Sequence, residues 1–368
     1  MILIDMSSIV HRKIYNAIST LKPKKTNGMY VTQDYINYAK HCIIEDLFDI
    51  HQEFKSKFRD MVICIDNSDG GYWRKDVYND YKANRKVGRE KSDINYTEVF
   101  VEIDELIEQL KQNIPWKVID VPRAEADDIM LILAREFNNY EPILIHSPDK
   151  DMIQAQRGND TVEQFSPMTR KWLLPENKYT DMNHWVRDHV CLGDTSDNVP
   201  KIVDHTEFSD SFIKYLITEG YENILSPLEF KHSNIDIETK KQLLINFDEW
   251  KFNRKGENLG IKDIYKDMSF GPSTLDKSVK KHGSLNNFLE TNPLYKQHFD
   301  RNFTLVMEEG IPKYIADEII IKFKEAPINY NSVKFEEYLR KYRLDNILLT
   351  LPNVFKINHE LTADDFNW

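Results

Sequence analysis

The feature that most limits the folds open to this chain is a short apolar run that ends at an acidic residue, repeated along the sequence. MILI runs into Asp5, MVICI into Asp66, and PILIH through two further residues into Asp149 and Asp151. Apolar runs of about four to eight residues, separated by long helix-like stretches, are typical of buried parallel strands. Since the carboxyl ends of parallel strands meet at one edge of an open sheet, these acids are expected to gather there. The pattern predicts an α/β fold with a mostly parallel central sheet flanked by helices.

Three more carboxylates crowd into the segment PRAEADDIM, which follows a further strand candidate, WKVIDV. Glu125, Asp127 and Asp128 stand at the start of a helical apolar pattern, where the helix dipole favours negative charge. Two carboxylates about 4 Å apart repel by roughly 4 kcal/mol at an effective dielectric near 20, so a whole group of them requires compensation. Divalent cations would supply it. An oxygen-only ligand set favours Mg²⁺, with Mn²⁺ as a substitute, over zinc.

The segment GDTSDN, residues 193–198, adds Asp194 and Asp197 at a spacing that lets both face one point. Alone, such a segment could be a simple turn, and a single acid after a strand is usually a turn residue or a helix cap. Beside the other acids, we interpret the pair as part of a second metal site.

Basic residues are concentrated in residues 72–91, YWRKDVYNDYKANRKVGREK, although the whole chain carries a net charge of −11. Tyrosine and tryptophan side chains interleave with the cations, so bases could stack beside groups that hold phosphates. A solvated charged helix is the alternative interpretation. Together with the acidic edge, the segment indicates phosphodiester chemistry. Its basic residues are Arg74, Lys75, Lys82, Arg85, Lys86, Arg89 and Lys91.

Six segments resemble, in the same order, the motifs of the structure-specific 5′ nucleases, the flap endonuclease and 5′→3′ exonuclease family. They are MILIDMSS, VICID, YKANRK, AEADDI, SPDKDMIQ and GDTSDNVPKI. The rest of the chain is most similar to the T-even phage ribonuclease H branch, because residues 295–323 resemble its C-terminal helical domain. The resemblance implies a PIN-like α/β nuclease core with a helical arch and a C-terminal helical domain.

The resemblance also implies a two-metal mechanism, in which ions roughly 3.5–4 Å apart activate a water molecule and stabilise charge on the phosphate. The first ion would be surrounded by Asp5, Asp66, Asp127 and Asp149, with Glu125 and Asp128 as direct or water-mediated ligands. The second would be held by Asp151, Asp194 and Asp197.

The basic segment acquires roles from the same resemblance. Lys82 and Arg85 match the catalytic pair of the family's gateway helix, which reaches the scissile phosphate, and their spacing predicts a shared helix face. Residues 87–113 would form an arch over a single-stranded 5′ end. The other expected nucleic-acid contacts are Tyr81, Lys86, Arg74, Arg89, Lys277, Lys280 and Lys281.

We expect a nuclease core in residues 1–190, with the gateway and arch at about 72–113. A helical duplex-binding domain in residues 191–330 and a C-terminal helix and tail in residues 331–368 would follow. Where the family has a glycine-rich hairpin, PKIVDHTEFSDSF stands instead, and a similar pattern resumes only at residues 270–289. An insertion at about 204–268 is therefore predicted. Its FSDSFIKYLITEG segment is expected to pack on its own core, and docking of a replication partner is the alternative. Residues 160–174 are predicted to form a hairpin at the antiparallel edge of the sheet.

The expected protein is a monomeric, cytoplasmic hydrolase that removes RNA primers and 5′ flaps in phage DNA replication. Its substrates would be DNA and RNA/DNA duplexes with 5′ ends or flaps. Disorder is the default interpretation of the C-terminal HELTADDFNW, and docking of a sliding clamp or single-strand-binding protein is the alternative. No apolar run approaches the roughly 18 residues of a membrane span, and the three separated cysteines indicate reduced thiols.

Other classes of function stay open from sequence alone. A PIN-type ribonuclease shares the acidic edge but would be shorter, without an arch or a helical domain. A catalytically silent DNA-binding replication protein would have lost metal ligands. A phosphatase of the DxD type is disfavoured, because Ser7 stands where that chemistry needs a second acid.

Overall fold

The apolar runs that end at acids become strands of one six-stranded sheet in the computed structural model. The sheet order is β5-β4-β1-β6-β7-β8, and every neighbouring pair is parallel except β7 and β8. The predicted α/β class and the antiparallel edge hairpin are therefore confirmed. A separate hairpin joins β2 to β3. The strands are β1 Ile2–Asp5, β2 Lys25–Thr26, β3 Met29–Tyr30, β4 Met61–Ile65, β5 Lys117–Asp120, β6 Ile143–His146, β7 Val162–Ser166 and β8 Lys171–Leu173.

The chain divides into two units, Met1–Trp185 with Thr304–Trp368, and Val186–Phe303. The structure describes residues 1–174, 182–203, 208–225, 230, 233–255, 270–328, 332–344 and 347. The C-terminal HELTADDFNW and residues 256–268 of the expected insertion lie outside the described residues. Within the described residues, we find no helix with both the length and the apolar character that crossing a bilayer requires.

Along the chain, most helices of the first unit come between successive strands, and the last two follow the second unit. They are α1 Met6–Leu21, α2 Ile36–Phe58, α3 Arg74–Val77, α4 Ala83–Glu90, α5 Tyr96–Asn113, α6 Ala126–Phe137, α13 Lys313–Glu325 and α14 Ser332–Lys341. Those of the second unit are α7 Met182–Leu192, which begins just before the boundary, α8 Asp210–Thr218, α9 Ile237–Lys255, α10 Pro272–His282, α11 Leu285–Glu290 and α12 Pro293–Val306, which ends just after it.

Alternate residues of each strand enter cores on opposite faces of the sheet. Ile2 and Ile4 of β1 lie in one core with residues of α1, α2 and α5, whereas Leu3 lies in the other with residues of α6 and α13. Because both faces are covered, the central strands β1, β4 and β6 are apolar at nearly every position, as buried parallel strands require. Their acids lie at the carboxyl end of the strand or beyond it.

Residues 96–113 do not form an arch, contrary to the prediction for residues 87–113. They form the helix α5, whose Val99, Ile103, Leu106 and Leu110 are buried in the core beside α2 and β5. Four apolar residues at spacings of three and four give the helix a stripe that is stable only against another element. The part of the predicted arch outside the core is therefore limited to residues before α5.

The domain boundary also differs from the prediction. We expected residues 191–330 to form one helical domain, but α13 belongs to the first unit. Ile315 and Ile319 of α13 are buried in the core that contains α6. Burying this apolar stripe against α6 is favourable because it removes both surfaces from water.

The described residues of the second unit form two small cores. The aromatic core of the expected insertion includes Phe208, Phe212, Tyr215 and Phe247, so the α8 segment packs on its own core as predicted. The other core joins the end of α7 to α10 and α11. The thiols of Cys42, Cys64 and Cys191 are all buried and free, as the cysteine count predicted.

Candidate active site

Three adjacent parallel strands deliver acids to one edge of the sheet. Asp5 ends β1, Asp66 follows β4 directly, and Asp149 follows β6 after two residues. Asp5 accepts hydrogen bonds from the Ser8 N–H (3.0 Å) and the Ser147 hydroxyl (3.1 Å). These bonds fix the orientation of the carboxylate at the start of α1.

Asp66 connects the end of β4 to the start of α6. Its Oδ1 accepts from the Ala126 N–H at 2.7 Å, and its Oδ2 accepts from the Ser7 hydroxyl. An unpaired amide at a helix N-terminus is thereby satisfied. The bond also places the first turn of α6, with Asp127, beside the ends of β1 and β4.

Asp149 caps the short 3₁₀ helix Lys150–Gln156. Its Oδ1 accepts from the Asp151 N–H at 2.9 Å, and its own N–H donates to Ser147 Oγ at 3.2 Å. The buried Gln164 of β7 donates to the backbone carbonyls of Ser147 (3.0 Å) and Asp149 (2.6 Å). The neighbouring strand therefore holds the loop that carries Asp149 and Asp151.

The carboxylates lie close enough to disturb one another's ionisation. Burial, followed by the charge of Asp66, raises the pKa of Asp5 to about 6. Burial, followed by the charges of Asp149 and Asp5, raises the pKa of Asp127 well above its usual range. Such a group of oxygen donors, each disfavouring its neighbour's charge, fits a divalent cation of the Mg²⁺ or Mn²⁺ type.

Asp128 contacts the basic segment instead of these carboxylates, and its predicted role as a direct or water-mediated metal ligand stays a prediction. It is 0% exposed, and its carboxylate lies 2.7 Å from the Arg74 guanidinium. Its Oδ2 accepts from Trp73 Nε1 (3.0 Å) and the Glu125 N–H (2.9 Å). Because its oxygens face the protein interior, Asp128 stabilises the start of α6 through a capping box with Glu125.

Glu125 is likewise surrounded by donors. Arg74 and the Tyr81 hydroxyl each donate to Oε2 at 2.9 Å, and Lys82 Nζ donates to Oε1. Glu125 is 3% exposed. In this structure its carboxylate is an anchor for three basic-segment residues, so its predicted metal contact would have to run through water.

Arg74 and Tyr81 are not exposed nucleic-acid contacts, contrary to prediction. Arg74 is 5% exposed, and Tyr81 is 3% exposed. Besides its two carboxylate partners, Arg74 donates from Nε to the Leu305 carbonyl at 2.8 Å and lies over the Trp73 ring. Two buried carboxylates are stable only beside a buried cation. The side chain of Arg74 therefore lies in the interior and not on the surface.

Lys82 and Arg85 do not share a helix face. Lys82 precedes α4 and adopts a left-handed backbone conformation with φ 55°, while Arg85 is exposed on the helix itself. Both side chains nevertheless line one cavity of about 670 Å³ with Arg89, Tyr72 and Phe100. The guanidinium of Arg89 lies over the Phe100 ring. The side chain of Lys86 lies outside the described residues.

The remaining predicted site residues belong to the second unit. Asp194 is buried and pairs with Val199 in a short antiparallel bridge, and its Oδ1 accepts from the Ser196 N–H at 2.7 Å. Asp197 is half-buried in the same loop. The lysines at 277, 280 and 281 are exposed on α10. Their roles in metal and duplex binding stay predictions.

Several residues that organise the site were missed from the sequence. The Ser147 hydroxyl accepts a hydrogen bond from the Asp149 N–H and donates one to Asp5. The Gln164 side chain donates to the carbonyls of Ser147 and Asp149. Gln164 carried a signal, since it is an uncharged polar residue within a predicted strand of the sheet. Ser147 carried none, because a serine after a strand is common in any turn.

The comparison with protein families matches residues 1–184 to the 5′–3′ exonuclease, N-terminal resolvase-like domain. Ribonuclease H of Enterobacteria phage T4 is 30% identical over 175 residues, which cover 47% of this chain and 56% of that protein. A 5′–3′ exonuclease of Aquifex aeolicus is 27% identical over 208 residues, covering 54% of this chain and 63% of that protein. The chain thus spans a little over half the length of these curated relatives.

A solved structure shows a similar fold. The T5 D15 protein co-crystallized with metal ions superposes with a TM-score of 0.50 at 13% identity, over 88% of this chain and 98% of that one. The family match covers the sheet and the first-unit carboxylates that lie before residue 185. This chain therefore belongs to the 5′–3′ exonuclease family and carries its N-terminal resolvase-like domain in residues 1–184.

Proposed function

We propose that this protein is a divalent-metal-dependent 5′ nuclease that removes RNA primers and 5′ flaps during phage DNA replication. The observation that carries the proposal is the group of carboxylates on three adjacent strand ends and the first turn of α6, which Asp66 ties together. The similarity to T4 Ribonuclease H supports ribonuclease H activity on RNA/DNA duplexes. The T5 D15 protein, co-crystallized with metal ions, supports a metal requirement.

The residues that would hold the cations are those already described. Asp5, Asp66, Asp127 and Asp149 would hold the first, and Asp194 and Asp197 would be ligands of the second. When bound, Mg²⁺ supplies an activated water molecule and compensates negative charge on the scissile phosphate. The carboxylates supply the negative charge that retains the cations, and Ser147 and Ser8 hold the carboxylate of Asp5 in a fixed orientation.

The chain's own cations would act on the phosphate. Lys82 Nζ is held beside Glu125, which Arg74 and Tyr81 anchor in turn. Its ammonium group, and the guanidinium of Arg85 from α4, would stabilise the charge that develops on the phosphate oxygens in the transition state. A side-chain nucleophile is not required in this mechanism.

The cavity beside Lys82 would receive the single-stranded 5′ end. Its walls combine the cations Arg85 and Arg89 with the rings of Tyr72 and Phe100. Cations hold the phosphate backbone, whereas rings stack on bases of any sequence. We propose a monomer acting on duplexes with 5′ ends, with a single-strand-binding protein or sliding clamp as a further partner.

Substrates with and without a 5′ end test this proposal. With Mg²⁺, the protein is expected to release short 5′-labelled products from flap, nicked and RNA-primed duplexes, and to leave closed circular duplex intact. Cleavage of a closed single-stranded RNA circle at a similar rate would instead favour an endonuclease of the PIN-type ribonuclease class. A catalytically silent DNA-binding protein would bind these substrates and release no product.

Lys82→Ala is expected to lower kcat by about 100-fold or more while changing KM little, because its charge acts mainly on the transition state. Single-turnover cleavage of a 5′ flap together with equilibrium binding of the same substrate separates the two effects. Lys91→Ala is the matched control, since Lys91 is an exposed lysine that does not line the cavity. If Lys82→Ala weakened only binding, Lys82 would be a substrate-positioning residue.

A further inference from the structure

Asn302 is a fully buried polar residue that no part of the proposed mechanism uses. It lies on α12 and is 0% exposed. Its side-chain Nδ2 donates to two backbone carbonyls, Val190 O at 2.9 Å and Pro200 O at 2.7 Å. Its Oδ1 accepts from the neighbouring Arg301 guanidinium at 2.9 Å. A buried amide with all three of these bonds is a specific structural device, because each unmade bond would leave a polar group without water.

The two carbonyls flank the loop that carries Asp194 and Asp197. Val190 precedes the loop, near the end of α7, and Pro200 follows it directly. The side chain of Asn302 therefore ties both ends of the loop at one point.

The loop itself is tightly closed. Asp194 and Val199 exchange backbone hydrogen bonds, with N–O distances of 3.0 and 2.7 Å. Gly193 has φ +66°, and a Cβ built on it would lie 2.3 Å from the Val199 carbonyl and 2.6 Å from the Pro200 carbonyl. A glycine is required at this close approach. The close contact at Gly193 makes the conformation of the loop depend on the position of the Pro200 carbonyl.

The end of α7 shows why an amide is needed. The last carbonyls of a helix have no partner within it. Those of His189 and Cys191 accept from the N–H groups of Gly193 and Ile202, at 3.1 and 3.0 Å. The Val190 carbonyl between them accepts from Asn302. An aspartate in place of Asn302 would set an oxygen against two carbonyls, and a leucine would leave both without a donor.

We propose that Asn302 is a positioning residue for the second cation site, fixing Asp194 and Asp197 by clamping the two ends of their loop. The inference rests on the proposed function, in which these two carboxylates hold a divalent cation. Asn302 does not touch the cation or the substrate. Loss of residues that orient metal ligands typically weakens metal binding by about 10- to 100-fold.

The test counts bound Mn²⁺ per chain by electron paramagnetic resonance, with the metal alone and no substrate. Wild type is expected to bind two ions. Asn302→Leu and the equal-sized Asn302→Asp are expected to keep the first and to bind the second about 10- to 100-fold more weakly. The concentration of Mn²⁺ needed for half-maximal cleavage should rise in parallel. Two variants are used so that poor folding of one leaves the other informative.

Leu275→Ala is the matched control. Leu275 is fully buried in the core that includes Cys191 and Ile202, so the variant destabilises the same unit without touching the Asn302 clamp. It is expected to keep both ions. If a folded Asn302 variant bound two ions as tightly as wild type, the inference would be overturned and the proposed function kept. If wild type itself bound no ion and cleaved nothing, both would be overturned.

Discussion

Asp127→Asn is expected to lower the rate of 5′ flap cleavage by about 1000-fold, or about 4 kcal/mol of transition-state stabilisation, while the fold becomes no less stable. Burial and the charges of Asp149 and Asp5 raise the pKa of Asp127 well above its usual range. Because the folded state favours the protonated acid, Asp127 stabilises the metal-free protein at low pH and loses that contribution as pH rises through the raised pKa. Urea unfolding in chelator, at pH 5 and pH 8, measures this: the variant should show the smaller decrease.

Asp128→Asn is the matched comparison, one residue along the same helix. Asp128 is paired with Arg74 and fully buried, so its loss should reduce the free energy of unfolding rather than act directly on cleavage. Flap cleavage and urea unfolding of the two variants should therefore give opposite results. A loss of activity in Asp128→Asn as large as in Asp127→Asn, with unchanged stability, would restore Asp128 as a metal ligand and contradict the assignment made from its contacts.

Arg74→Met is expected to have the largest effect on stability, lowering the free energy of unfolding by about 3–5 kcal/mol. Arg74 is the buried cation between Glu125 and Asp128, and it also donates to the Leu305 carbonyl. Removing it leaves two buried carboxylates with less compensation and a carbonyl without its donor. Arg74→Lys should restore only part of the loss, because one ammonium group cannot reproduce the planar fork of the guanidinium.

Arg123→Met provides the control for Arg74. Arg123 also pairs with an acid of the basic segment, Asp76, but both side chains are substantially exposed, at 31% and 66%. An exposed pair contributes little to stability, so the loss should stay below about 1 kcal/mol. Equal losses in the two variants, measured by urea unfolding, would show that the Arg74 network is no more than a surface ion pair.

The strands and the acids at their ends were predictable because both signals are local. A run such as MVICI can only be a buried element, and the acid after it must then lie at the sheet edge. Tertiary contacts carry no comparable signal. Asp127 and Asp128 are neighbours in the sequence. Nothing in the sequence shows that Asp127 faces the remaining carboxylates while Asp128 faces Arg74. That difference follows from the rotation of α6 about its own axis, which is set by the packing of α6.

The basic segment shows where spacing misleads. Lys82 and Arg85 are three residues apart, but the left-handed backbone of Lys82 places it outside the helix that carries Arg85. A lysine rarely adopts that conformation, so the break before α4 could not be predicted from the residue types. The core helix α5, by contrast, could have been recognised. Its apolar residues Val99, Ile103, Leu106 and Leu110 recur at helical spacing, which outweighs the family's arch as a guide.

The most direct test of the central claim is cleavage of a 5′-labelled flap duplex with Mg²⁺, comparing wild type with Asp149→Asn. Asp149 is chosen because it ends the loop after β6 and its charge acts on both Asp5 and Asp127. Wild type is expected to release labelled 5′ products that disappear on addition of chelator, and the variant is expected to release none. Equal cleavage by both proteins, or none by either, would contradict the assignment of these carboxylates to metal-dependent hydrolysis.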